Sequence, residues 1–236
     1  MTTISASRDG LQPSRTLDEK QRQEMFELLS AHFEGVTREQ FELDLAEKNW
    51  VITLRREGRL LGFTTLLVAE LVFEETVYTT LYSGDTIVAS EARGSAELAR
   101  QWIASVNHLR AEHPERPCYW LLLTSGFRTY RFLPVFWKRF APHYATHASP
   151  RECRLMERLA TLRYGLSFDS RAGIVRFPRP QRLRGTLANV PASRAENAHI
   201  AFFLQRNPGH ARGDELVCLT EISEDNLTVA GRRMLG

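Results

Sequence analysis

Lysine is almost missing from this chain. Of its 31 basic residues only Lys20, Lys48 and Lys138 are lysines, and the rest are arginine, a bias that a GC-rich genome explains. The net charge of +3 is too small to argue for a nucleic-acid partner. Cysteine is scarce too: Cys118, Cys153 and Cys218 are an odd number with no CxxC or Cys/His ligand spacing, which excludes a disulfide framework and a zinc site. They fit reduced thiols of a cytoplasmic protein. No apolar run approaches the roughly 18 residues of a membrane span, and Met1–Arg15 holds no apolar segment of a secretory signal. No Ser/His/Asp order and no HExxH occurs, so hydrolase and metalloenzyme readings lack support, and no metal is expected. What is present is ordinary globular composition, 43% hydrophobic and 25% charged over 236 residues, enough for one domain with an extension.

Residues 1–16 read as a flexible arm. Thr16 or Asp18 then caps a helix whose apolar positions Met25, Leu28, Leu29 and Phe33 keep helical spacing up to Gly35. A short acidic helix follows over 38–47. The period then changes: 49–55 and 60–70 read as two strands joined by the hairpin turn Arg56-Glu57-Gly58-Arg59, and 77–88 as a third. A helix over 96–112, a short buried strand over 118–123 and an aromatic helix over 127–139, kinked at Pro134, complete the region. Beyond Pro150 a basic helix, 151–164, leads into a loop-rich stretch. Runs 199–205 and 215–221 look like strands joined by a long hairpin turn over 206–214. This order predicts an α/β fold around a mixed central sheet flanked by helices.

The segment Asp85-Thr86-Ile87-Val88-Ala89-Ser90-Glu91-Ala92-Arg93-Gly94-Ser95-Ala96 runs from a strand through an Arg-Gly loop into an amphipathic helix. Free backbone N–H groups at such a helix start suit an anionic phosphate. Here the chain resembles the GNAT acyltransferase superfamily, whose signature is a Val-ended strand, then Arg/Gln-x-x-Gly-x-Gly/Ala opening a helix that cradles the coenzyme A pyrophosphate. Arg93 and Gly94 stand at the family's Arg-Gly, while Ala96 and Leu98 replace its later small residues, a degraded cradle. The resemblance covers residues 20–145 in element order, and the whole pattern is similar to bacterial GNAT-like proteins. It implies an N-acyltransferase that moves an acyl group from a thioester, acyl-CoA or acyl carrier protein, to the amine of a small molecule. It also implies a donor site at Ile87, Val88, Arg93, Gly94, Ser95 and Ala96. Ser125 joins them, at the end of the next strand, where the family's two parallel strands splay apart.

Asp85 is the candidate general base, a carboxylate inside an apolar strand, with an ion pair to one of the arginines as the alternative. Tyr82 and Ser83 on the same strand would line the acceptor pocket, and Gly84 would mark a bulge. Family members place an acidic Tyr on the helix after the splay; Trp137 aligns there, with Tyr130 two turns earlier as the available phenol. Both read equally as core aromatics. The turn at Asn207 and His210 would fold over the cleft, or serve as a turn alone.

The degraded cradle leaves room for a carrier-bound donor. Arg128, Arg131, Lys138, Arg139, Arg151 and Arg154 would then form a basic landing surface, with Phe127, Phe132, Phe136, Trp137 and Phe140 lining an acyl tunnel. The alternative for both is core packing and a solvated face. Two other functional readings stand beside the enzyme: a GNAT-fold binding protein without catalysis, and an aminoacyl-tRNA-dependent transferase, the latter suggested by ten Arg against three acids over 151–194. The expected layout is an arm over 1–16, a GNAT-like domain over 17–148 and an extension over 149–236 packing on it, with a homodimer left open.

Overall fold

The computed structural model describes residues 10–185, 189–194 and 196–235. Its centre is an eight-stranded sheet. Strand β1 (Leu11–Pro13) pairs antiparallel with β3 (Trp50–Arg56), which turns back into β4 (Arg59–Phe73) and then β5 (Thr76–Val88). Next comes β6 (Cys118–Thr124), parallel to β5, and then β10 (Glu215–Glu221), antiparallel to β6. Two short strands, β8 (Ile174–Val175) and β7 (Phe168–Asp169), close that edge. A separate two-stranded ribbon joins β2 (Phe33–Glu34) to β9 (Arg182–Leu183). The architecture is the mixed α/β sheet flanked by helices that the element order predicts. The end of the expected arm, residues 11–13, is a sheet edge instead; residues 1–9 lie outside the described residues.

Helices cover both faces. Helix α1 (Glu19–His32) starts in a capping box between Asp18 and Gln21, and α2 (Arg38–Ala46) is capped by Thr37. Their buried faces, Met25, Leu29, Phe41 and Leu45, pack with Val51, Phe63 and Ile87. Helix α6 (Pro150–Tyr164), begun by a capping box between Ser149 and Glu152, lies on the same sheet face over β6, β8 and β10, packing Leu155 and Ala160 on Leu121, Val217 and Leu219. The opposite face carries α3 (Glu97–Arg110), the short α4 (Phe127–Tyr130) and α5 (Phe132–Phe136), α7 (Ala198–Arg206) and α8 (Val229–Arg232).

The sequence reading needs three corrections here. Residues 198–206 form helix α7 rather than a strand: Asn197 caps it, and Ile200 and Phe203 bury at helical spacing. The expected hairpin turn over 206–214 is therefore a helix-to-strand connection. The aromatic helix over 127–139 is two short pieces ending at Phe136, after which Trp137 bridges to Leu227 in extended form.

Candidate active site

Pairing between the parallel strands β5 and β6 ends at Ser83 and Leu122, leaving 84–88 of β5 without a partner on that side. The slot opens where β5 leaves the sheet through a single 3-10 turn, Ser90–Ala92, into Arg93, Gly94 and Ser95 and then α3. Gly94 has φ +94, which an L side chain rarely adopts, and a Cβ there would meet nothing within 4 Å, so the loop stands open. Ser95 Oγ accepts from the Glu97 N–H, and Ala96 supplies no side-chain cap. Arg93 Nε donates to the Val88 carbonyl at 3.4 Å. Burial, and then the charges of Arg93 and Arg194, push the Arg128 guanidinium below its usual range. Ser125, nearly buried, ends β6 opposite. Ile87 turns its side chain into the α1–α2 core, leaving only its backbone to face the slot.

The register of β5 against β4 shifts between Thr64 and Leu66, so Gly84 and Asp85 together face one partner residue. This is the bulge expected at Gly84. Residues three apart in a regular strand point to opposite faces. The extra residue puts Tyr82, Asp85 and Ile87 on one face instead, toward α2 and α6. Gly84 is obligatory in a second way: a Cβ would come 2.5 Å from Thr65 Oγ1 and 2.8 Å from Lys48 Cε.

Asp85 belongs to a cluster of ionisable groups between the α1–α2 core and the α6 core. Burial, then the charge of Asp44, raises its carboxyl to about 6, against a smaller opposing pull from Lys48. Glu215, at the start of β10 across the slot, is raised to about 7 by burial and then by Asp85. Lys48 is 5% exposed; its Nζ donates to the Asp44 carbonyl at 2.8 Å, lies 3.7 Å from Glu47 and 5.4 Å from the centre of the Tyr82 ring. Burial, and then Arg163, lowers its pKa. Arg163 stacks 3.8 Å over Tyr82 and pairs with Glu47 at 2.8 Å, tying the end of α6 to the end of α2. Tyr164 meets Tyr82 edge-on at 6.2 Å, and burial lifts the Tyr82 phenol to about 12. Like-signed carboxylates in a desolvated cleft are what acid–base chemistry needs: after burial, Asp44 helps hold the proton on Asp85 and Asp85 helps hold it on Glu215. Among the described residues no group of three His, Cys, Asp or Glu side chains is placed to hold a metal.

Asp85 and Tyr82 are thus brought together, with Ser83 at the divergence, its hydroxyl buried and without a protein partner among the described residues. Lys48, Glu215, Arg163 and Tyr164 were missed. Lys48 had a signal, one of three lysines in an arginine-rich chain. Glu215 had none, because only the sheet order sets it beside Asp85.

Two expected site residues, Tyr130 and Trp137, lie away from the slot, and two, Asn207 and His210, lie at its Ser125 end. Tyr130 is fully buried on the opposite sheet face, packed on Phe140, Phe202 and Phe203, with its hydroxyl donating to the Pro142 carbonyl at 2.9 Å; burial raises its pKa far beyond a useful acid. Trp137 is 1% exposed in a ring stack with Trp102, Trp120 and Phe132. Asn207 is buried and ties the loop down by donating to the Asp214 carbonyl at 2.8 Å, and His210 packs on Phe203 beside the Ser125 backbone. Asn207 Nδ2 also lies 3.4 Å from the Thr124 carbonyl, so both residues sit at the Ser125 end of the slot. The expected acyl tunnel is likewise core: Phe127, Phe136 and Phe140 are each under 9% exposed. The landing surface is divided, since Arg128 and Arg131 are at α4 while Arg151 and Arg154 lie on α6, across the sheet, and pair with Glu74. Arg139 pairs with Glu221, and Lys138 donates to the Asp225 carbonyl.

No protein-family model and no curated protein matches the chain. Solved structures do. A protein from Enterococcus faecalis described as a "Probable N-Acyltransferase" is 15% identical, with a TM-score of 0.40 over 53% of this chain and 31% of its own length. The GNAT family N-acetyltransferase YhbS from Escherichia coli, solved with CoA, is 15% identical, with a TM-score of 0.38 over 56% of this chain and 71% of that one. Escherichia coli ElaA is 14% identical, with a TM-score of 0.38 over 59% and 90%. Each is a partial likeness at low identity, and what the site can do has to come from its own residues.

Proposed function

We propose that the protein is an N-acyltransferase that moves an acyl group from a coenzyme A thioester to an amine. The observation that carries this is the slot between β5 and β6, which has a cationic helix start at one end and the Asp85–Glu215 carboxylates at the other. A thioester with an amide arm fits the unpaired edge of β5 over 84–88, and its phosphates fit Arg93, Arg128, Arg194 and the open turn at Gly94. Arginine side chains then stand in for the missing small residues of the cradle.

The amine nitrogen attacks the thioester carbonyl, the C–N bond forms, and the C–S bond breaks as the tetrahedral adduct collapses. Asp85 takes the nitrogen's proton. An ordinary thiol titrates at about 8.5, so return of that proton from a carboxyl near 6 to the departing sulfur is downhill. The reaction therefore closes its proton balance without Tyr130. Neither Cys118 nor Cys218 competes as nucleophile, since Cys118 is buried with its thiol pushed up to about 12 and Cys218 is likewise buried and raised. Positioning an amine against an already activated acyl group supplies much of the acceleration.

The test is thermal unfolding with acetyl-CoA, octanoyl-CoA, free CoA and an acyl carrier protein, followed by thiol release in the presence of an amine panel. A donor at a hundred times its dissociation constant adds about 2.7 kcal/mol, read as a rise of a few degrees. Stabilisation by a CoA thioester and amine-dependent thiol release support the proposal. No shift and no thiol with any CoA species sinks it.

A further inference from the structure

On the face that carries Asp85, a groove of about 220 Å³ runs between β4, β5 and α6. Its walls are Leu67 and Leu71 of β4 and Leu159 and Leu162 of α6. Leu162 is 54% exposed, a large apolar side chain that the described residues leave largely uncovered. The inner end is made by Tyr82 and Arg163, the same two residues that stack beside Lys48 and border the carboxylate cluster. Tyr82 lies opposite Leu67 on one side and Leu121 on the other in the strand register, and past the bulge Asp85 is the next side chain on the same face, so the groove floor ends beside the carboxylate cluster.

We infer that this groove holds the apolar side group of the acceptor, so that the substrate is a primary amine carrying an alkyl or aryl group, with its nitrogen at Asp85 and Glu215. The inference rests on the acyl-transfer reading above and names its acceptor. The donor enters from the unpaired end of the slot at Arg93. The Glu47–Arg163 ion pair closes the side between α2 and α6. The groove lies beside Thr80–Tyr82 of β5, on the side of Asp85 away from Val88 and Arg93. The one carboxylate in its lining, Glu70, is already paired with Arg116 at 2.6 Å, so a second ammonium would compete for that partner among leucines, and the lining selects against a diamine. The Arg163 charge does not spoil the groove, because its guanidinium is engaged by Glu47 and the Tyr82 ring.

Calorimetric titration of the full chain with 2-phenylethylamine, ethanolamine and putrescine, in the presence of free CoA, tests this without turnover. The expected result is at least tenfold tighter binding of 2-phenylethylamine, a preference that Leu162→Glu abolishes. The S-octyl thioether of CoA, which cannot transfer its chain, should leave that binding unchanged. Equal affinities within twofold, or displacement of 2-phenylethylamine by the S-octyl thioether, overturn the inference; displacement would give the groove to the donor's chain. The parent reading fails separately. Tight binding of 2-phenylethylamine with no thiol released from acetyl-CoA rejects acyl transfer and keeps the groove, whereas equal transfer to ethanolamine keeps acyl transfer and rejects the groove.

Discussion

Asp85 carries two consequences that can be separated by pH. With Asp85 as the proposed base, Asp85→Asn should lower kcat/KM by about 10²- to 10⁴-fold, measured by thiol release across pH 5–9. Its carboxyl is also held at about 6 in the folded chain against 3.8 ordinarily, so the folded state binds that proton more tightly than the unfolded one. The stability this gives is full below about pH 4 and lost as the pH rises through about 6. Asp85→Asn should therefore melt higher than the wild type at pH 8, with the gain vanishing at pH 4 in parallel scans; a gain at both pH values contradicts burial as the cause. Glu215 and Asp85 face one slot, so the wild-type rate profile should rise in the region of pH 6–7 as a pair rather than as one group. Asp85 was legible in the sequence because a carboxylate in an apolar strand is costly unless paired or used. Tyr130 was misleading for a physical reason: a phenol satisfied by one backbone carbonyl costs little in a core, and spacing along a chain says nothing about which sheet face a residue meets.

At the scale of elements, the bulge in β5 decides which side chains meet. Gly84→Ala would force a Cβ against Thr65 and Lys48, and displacing them should cost about 1–3 kcal/mol, seen as a lowered urea midpoint with unchanged m-value. It should also shift the pH–rate profile, since Lys48 is one of the charges that Asp85 feels; a variant with wild-type stability and profile would show that the strand relaxes freely. The helix start makes a different prediction. Arg93→Ala should weaken acyl-CoA binding by about tenfold, with a shallower salt dependence, while leaving 2-phenylethylamine binding in place, because the lost group is a charge-assisted phosphate contact. Most elements up to β6 were readable, since their periods are clean and Asp18, Thr37 and Gly58 punctuate them as caps and turns. Helix α7 was not: His199–Gln205 holds only seven residues, and Ile200, Phe202 and Phe203 satisfy either period until the cap at Asn197 is seen.

For the molecule as a whole, the sheet does not stop where the family-like segment stops. Strand β10 pairs along the full length of β6 from Thr124 to Tyr119 and contributes Glu215 to the site. A chain cut after residue 148 should lose both the carboxylate and the cover on β6, and should be found insoluble or without a cooperative thermal transition; a soluble, cooperatively melting fragment would show that the extension is dispensable. Sequence could supply β10 as a strand but not its neighbour, because strand order is a long-range property that no local pattern encodes. That order also bears on how the chain is made. At 5–20 residues per second, β10 leaves the ribosome several seconds after β6, roughly 90 residues later. Through that interval β6, with Leu121, Leu122 and Leu123, has one side of its backbone unclaimed and its apolar flank bare. A newborn chain is thus exposed to its neighbours on a crowded polysome, and cells making it quickly would be expected to need chaperone capacity in proportion.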